Sequence, residues 1–300
     1  MKPFEHCNAV GAVADVAFRT LDVPGPAGAL PARLYRAVDR TAPAPALLVF
    51  LHAGGFTSGR LEDVESCMRR LAGRIDIAVL TPGYTQAPDQ PFPAAAEDAY
   101  AVVVDCAAHP RRYGWSGGAL IVGGVEAGGN LAAVAAMMAR DRGGPALAGQ
   151  LLIQPMLDPG LSSPSMRCAS ERDAGEQIAS QCAEAYREYL PRPGDRVHPY
   201  ACPLASTRLK GLPSTLMVSI DGDPLRDEAR TYLGKLEAAG VPVRSLALRV
   251  PDDAASLVDA TARCRACADD AAFDVMADFI ASVGDRPRKS GGRAADPTGR

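Results

Sequence analysis

Three hundred residues with 47% hydrophobic and 22% charged content are enough for one large core, and no stretch is long and apolar enough to span a membrane. A formal net charge of -3 supplies neither a basic stripe for nucleic acid nor a strongly acidic tail. The expectation is a single α/β domain acting on or binding a small molecule, with no nucleic-acid or membrane partner and with a homodimer left open.

In chain order, the N-terminal apolar run Ala9 to Phe18 is interrupted by Asp15 and is too short for a secretory signal. Strand-like runs follow near 16 to 23 and 31 to 37, joined by Pro24-Gly25-Pro26-Ala27-Gly28, which suits an antiparallel hairpin. Further strands are expected near 46 to 51, 77 to 82, 119 to 123, 149 to 153, 214 to 220 and 243 to 250. Helix-like stretches lie at 61 to 74, 94 to 108, 126 to 141, 226 to 239 and roughly 258 to 281. This alternation implies a mostly parallel sheet of about eight strands with helices on both faces.

The polar excursion 158 to 200, with a helix-like piece around 176 to 190, is expected to form a small lid over the C-terminal edge of the sheet, inside a domain covering 1 to 284. Residues 285 to 300 combine Gly, Pro and basic residues without periodicity and are expected to be a disordered tail. Eight scattered cysteines suit reduced thiols in a cytoplasm. Cys264 and Cys267 form a lone CxxC in an expected helix, without a second pair or a following histidine, so neither a metal nor a cofactor is implied.

The most informative segment is Ala119 to Ala133, an apolar strand running into Gly124-Val125-Glu126-Ala127-Gly128 and then a helix. Small residues at these spacings let a chain reverse sharply and display one central side chain above the sheet. Five other segments accompany it: GPAGALPARLYR at 25 to 36, LHAGGFTSG at 51 to 59, YTQAPDQPFPAAAEDAY at 84 to 100, HPYACPLAS at 198 to 206 and DGDPLRDEA at 221 to 229. Together these resemble the hormone-sensitive-lipase-type carboxylesterases, a branch of the α/β-hydrolase superfamily, from about Gly25 to Ile280. The resemblance implies the α/β-hydrolase fold. It also implies an oxyanion hole built from the backbone N–H groups of Gly54, Gly55 and Ala127, and a catalytic acid at Asp223.

The resemblance fails at the reacting atoms. Glu126 stands where that family places its nucleophilic serine, and a carboxylate is longer, already charged and a weaker nucleophile. The family's histidine would fall near Ala254 or Ala255, and no histidine follows His198. Of the others, His52 braces its loop in the family pattern, His109 suits a helix C-terminus, His6 sits in a loose N-terminus, and His198 is a candidate ligand contact near the lid. Ordinary serine-esterase activity is therefore expected to be absent.

Three roles for Glu126 stay open from sequence. Its carboxylate fills the oxyanion hole, or it acts as a general acid or base in cyclisation, dehydration or isomerisation, or it joins Asp223 in holding a cation. A carboxylate nucleophile is a further alternative, but it would still need a base. Asp227 and Glu228 are expected at the start of the next helix, where their charges suit its dipole.

Overall fold

The turn after Pro24 closes an antiparallel hairpin of β1 (Val16–Gly25) and β2 (Gly28–Ala37), in register from Val16 opposite Ala37 to Gly25 opposite Gly28. This computed structural model describes residues 14–169, 173–249 and 270–284. The strands β3 (Ala44–Leu51), β4 (Ile77–Pro82), β5 (Trp115–Val125), β6 (Gly149–Ile153), β7 (Ser214–Ile220) and β8 (Val243–Leu248) complete one sheet. Its order is β1-β2-β4-β3-β5-β6-β7-β8. All pairings from β4 through β8 are parallel, and β2 meets β4 antiparallel.

Strands β4, β6 and β7 are buried along their whole length, as expected where helices cover both faces and the sequence runs continuously apolar. The edge strands β1 and β8 instead consist mostly of exposed and half-buried residues. The helices are α1 (Glu65–Arg74), α2 (Ala94–Ala108), α3 (Ala127–Asp141), α4 (Pro164–Ala169), α5 (Asp173–Tyr189), α6 (Arg226–Ala238) and α7 (Asp270–Gly284). Helix α3 is buried from Ala127 to Ala139, and its small residues let it lie close against the sheet. At Gly128 a β-carbon would come within 2.1 Å of the Leu51 carbonyl oxygen, so the start of α3 touches the end of β3 backbone to backbone.

Several local expectations are corrected. The stretch expected as one helix over 61 to 74 opens with a 3-10 turn at Leu61–Val64 before α1 begins. Strand β5 starts at Trp115 rather than 119, with a register irregularity against β3 between Ala44 and Ala46 that accommodates Ser116-Gly117-Gly118. The excursion over 158 to 200 carries two helices, α4 and α5, where one was expected. The CxxC at Cys264 and Cys267, positions Ala254 and Ala255, and the tail from 285 lie outside the described residues.

Candidate functional site

The site lies at the C-terminal ends of β3, β5, β6 and β7, the edge where parallel α/β sheets bind ligands. Strand β5 ends at Val125 and the chain reverses at Glu126 with φ 57° and ψ −116°. A non-glycine residue in that region costs of order 1–3 kcal/mol, so it persists only where its surroundings hold it. They do so here on both sides of the peptide unit. The Glu126 N–H donates to Ile153 O at 3.0 Å, and its carbonyl accepts from Asn130 N at 3.1 Å and Met156 N at 3.0 Å.

The loop after β3 is shaped to meet this elbow. Gly54 has φ +127°, and its carbonyl accepts from Ser58 N at 2.9 Å and Thr57 N at 3.1 Å, which folds the loop into a tight turn. The freed N–H groups point at one atom. Glu126 Oε2 accepts from Gly54 N at 2.8 Å and from Gly55 N at 3.3 Å. Two of the three expected backbone donors thus converge on the side chain at the elbow, and Ala127, the third, follows directly as the buried first residue of α3.

His52 supports the loop from below. It is buried, its Nδ1 bonds the Ala53 carbonyl at 2.6 Å, and its ring stacks on Tyr84 at a centroid distance of 4.3 Å. Burial pushes its pKa below the usual histidine value, against the pull of the Ala53 carbonyl and of nearby carboxylates including Glu126. The Tyr84 hydroxyl donates to His52 O at 3.2 Å and is held far above the usual tyrosine pKa, first by burial and then by the Glu126 charge. Both groups are therefore neutral braces at neutral pH.

Asp223 lies just beyond β7, fully buried, with Oδ1 accepting from Leu225 N at 2.8 Å. Asp227 behaves as a residue at a helix start would, accepting from Ser165 N at 2.9 Å and pairing with Arg226. Glu228 does not. Its side chain is fully buried, its Oε1 accepts from Leu157 N at 2.9 Å, and Oε2 has no hydrogen bond among the described residues. Burial raises its pKa well above the usual carboxylate range, opposed by the backbone N–H groups of Leu157 and Asp158 and reinforced by the charges of Asp158 and Asp223. The signal was present in spacing: Glu228 falls within the stripe Leu225, Ala229, Tyr232 and Leu236, all buried.

Helix α5 closes over the loop. A β-carbon at Gly55 would come within 2.8 Å of Ala185 Cβ, and Phe56 stacks on Tyr189 at 3.9 Å and tilts against Tyr186 at 5.8 Å. The hydroxyls of Tyr186 and Tyr189 and both amide atoms of Gln154, which follows β6, are buried without a hydrogen bond to any described residue. His198 packs between Phe92 and Tyr200, and His109 bonds Asp105 at the end of α2, so neither reaches the elbow by these contacts. Among the described residues no cluster of three or more His, Cys, Asp or Glu side chains could hold a metal ion, and no helix is long and apolar enough to cross a membrane.

Residues 48–249 match the family model described as the alpha/beta hydrolase fold. The chain is 38% identical over 230 residues to carboxylic ester hydrolase LipN of Mycobacterium tuberculosis, covering 74% of this chain and 60% of that protein. It is also 38% identical over 229 residues to esterase LipI of the same organism, covering 74% of this chain and 70% of LipI. The solved structure of EstE1, a thermophilic carboxylesterase cloned from a metagenomic library, superposes with a TM-score of 0.81 at 30% identity, covering 90% of each chain. The mostly parallel sheet with its covering helices agrees with these relatives, and the chain belongs to the alpha/beta hydrolase fold family, among its carboxylesterase-like members.

Proposed function

We propose that this protein is a small-molecule-binding member of its family in which Glu126 fills the oxyanion hole, so that ordinary ester hydrolysis is absent. The observation that carries this reading is the pair of N–H bonds from Gly54 and Gly55 to Glu126 Oε2, at 2.8 and 3.3 Å. Acyl transfer needs those donors free for the negative oxygen that develops on the substrate carbonyl. A side-chain oxygen already bonded to both donors leaves neither free for an incoming substrate carbonyl. Sequence supports the same conclusion, because serine is missing from the elbow and no histidine follows His198 to act as a base in the family's order.

Acid or base chemistry by Glu126 is the less favoured alternative, since the oxygen tied to the loop is directed at backbone donors. A ligand role is supported by the buried hydroxyls of Tyr186 and Tyr189 on α5 and the amide of Gln154 just after β6, polar groups that the protein leaves without partners among the described residues. The test is direct. Purified protein should not turn over short p-nitrophenyl esters above background or react with a fluorophosphonate probe, while a bound small molecule should raise Tm and be recovered unchanged. Turnover that disappears in Glu126→Ala would overturn the proposal, and conversion of the ligand by wild type but not by Glu126→Gln would replace it with the acid/base reading.

A further inference from the structure

The opposite edge of the sheet, where β3 and β5 begin, carries a second feature. A cavity of about 280 Å³ opens between the hairpin strand β2, the loop leading into β3 and the turn before β5. Four arginines line it, Arg19, Arg36, Arg40 and Arg111, together with Thr41 and Tyr113 and no carboxylate.

The charges are only partly compensated. Arg36 donates to Asp76 at 2.6 Å and to the Ala42 carbonyl at 2.8 Å. Arg40 Nη1 lies 3.6 Å from the same carboxylate and is buried without a hydrogen bond. Arg19 is bound to a neutral acceptor, the Arg112 carbonyl. The Arg111 side chain makes no hydrogen bond or ion pair with another described residue. Asp76 therefore serves two guanidinium groups, and no carboxylate is among the residues that line the cavity with the four arginines. Like charges gathered around a cavity raise the energy of the empty site and are relieved by an anion.

We infer that this cavity binds a compact phosphate-bearing anion, at a site separate from the elbow. Guanidinium forks match phosphate oxygens in pairs, which a lysine cluster would not. The volume lies at the small end for ligand sites, roughly 300–1,000 Å³, so a phosphate or diphosphate group with at most a small organic remainder fits. A charge of two or more on the ligand matches the guanidinium groups that Asp76 leaves uncompensated. The Thr41 hydroxyl supplies a further donor, and Leu34 and Tyr113 give the cavity an apolar wall.

Calorimetric titration of the full chain with inorganic pyrophosphate at fixed ionic strength tests this. Saturable one-to-one binding is expected, weakened about tenfold in Arg111→Ala and in Arg40→Ala, the loss of one charged hydrogen bond. Arg111→Ala is the cleaner variant, because that side chain anchors nothing else described, and a ligand-free melt will show whether it folds as wild type. Arg208→Ala, in a separate groove that also contains Asp141, should bind as wild type does. No saturable heat at millimolar pyrophosphate would overturn the inference. So would affinity that changes with ionic strength alone and is equal in both cavity variants, or capture by phosphatidylglycerol vesicles without any binding of soluble pyrophosphate.

Discussion

Two buried glutamates stand near the same edge of the sheet and are treated in opposite ways. Glu126 reaches across from the elbow to the loop after β3, where two backbone N–H groups meet one of its oxygens. Glu228 projects from the first turn of α6 into a space where Leu157 N serves one oxygen and no described group bonds the other. The difference lies in donors. A carboxylate among oriented N–H groups has its charge solvated by the protein, whereas one surrounded by apolar neighbours and other acids is better off holding its proton. Glu126 thus joins the elbow to the loop after β3, whereas burial favours the protonated form of Glu228, whose Oε1 ties α6 to the loop after β6.

The contrast depends on how closely the elbow is pressed against its loop, and the strongest way to break it is to separate them. Gly128→Ala would place a β-carbon 2.1 Å from the Leu51 carbonyl oxygen and 2.4 Å from that of His52, both backbone atoms. Since neither can move without shifting the ends of β3 and α3, destabilisation of more than about 4 kcal/mol, or failure to fold, is expected in urea unfolding. A fully stable Gly128→Ala protein would show that the elbow is looser than the close approach requires.

A smaller effect is expected from Glu126 itself. Glu126→Ala removes an acceptor from Gly54 and Gly55 N–H and should cost about 1–3 kcal/mol, while Glu126→Gln keeps an amide oxygen for them and should lose less. The ordering of the two variants is the informative quantity. If alanine proves as stable as wild type, relief of the strained backbone or water entering the loop compensates for the lost bonds, and the carboxylate is not what holds the loop together.

Much of this arrangement could be read from sequence, for reasons that differ by element. The central strands announce themselves as short apolar runs between glycines and prolines, because both of their faces are covered. The start of β5 was hidden because Ser116-Gly117-Gly118 reads as a turn, and only pairing with β3 makes it part of a strand. The elbow and loop were visible as motifs, but residues 54 and 126 are 72 positions apart, and no local pattern says whether a side chain will fill a set of donors or leave them open. Glu228 does lie in the first turn of the helix, as its charge suggested, but the dipole argument says nothing about burial, which follows from the apolar stripe on which the residue falls.

The pH dependence of stability tests the burial of Glu228 directly. Glu228 titrates near 4.5 when exposed in the unfolded chain and well above that in the fold. Between those values the folded state holds more protons than the unfolded chain, so the contribution is fully present below 4.5 and is lost as pH rises toward the folded value. Glu228→Gln mimics the protonated form and should remove that slope, raising Tm relative to wild type at neutral and mildly alkaline pH while the two converge near pH 4. Parallel curves across this range would mean that Glu228 is charged in the fold and that Leu157 and its surroundings solvate it adequately.

The smallest expected effect concerns the face of the loop after β3 that packs against α5. Tyr189 stacks flat on Phe56 and contributes its ring to the wall above Gly55, but its hydroxyl is buried without a partner among the described residues. Tyr189→Phe keeps the ring and deletes only the unpaired group, so stability should change by less than about 0.5 kcal/mol or improve slightly. Affinity for a ligand that uses the hydroxyl should fall while Tm without ligand stays the same. The split is what matters. A loss of 1 kcal/mol or more of stability without ligand, about the worth of one net hydrogen bond, would make the hydroxyl part of the fold and remove it from the groups that the elbow offers to a small molecule.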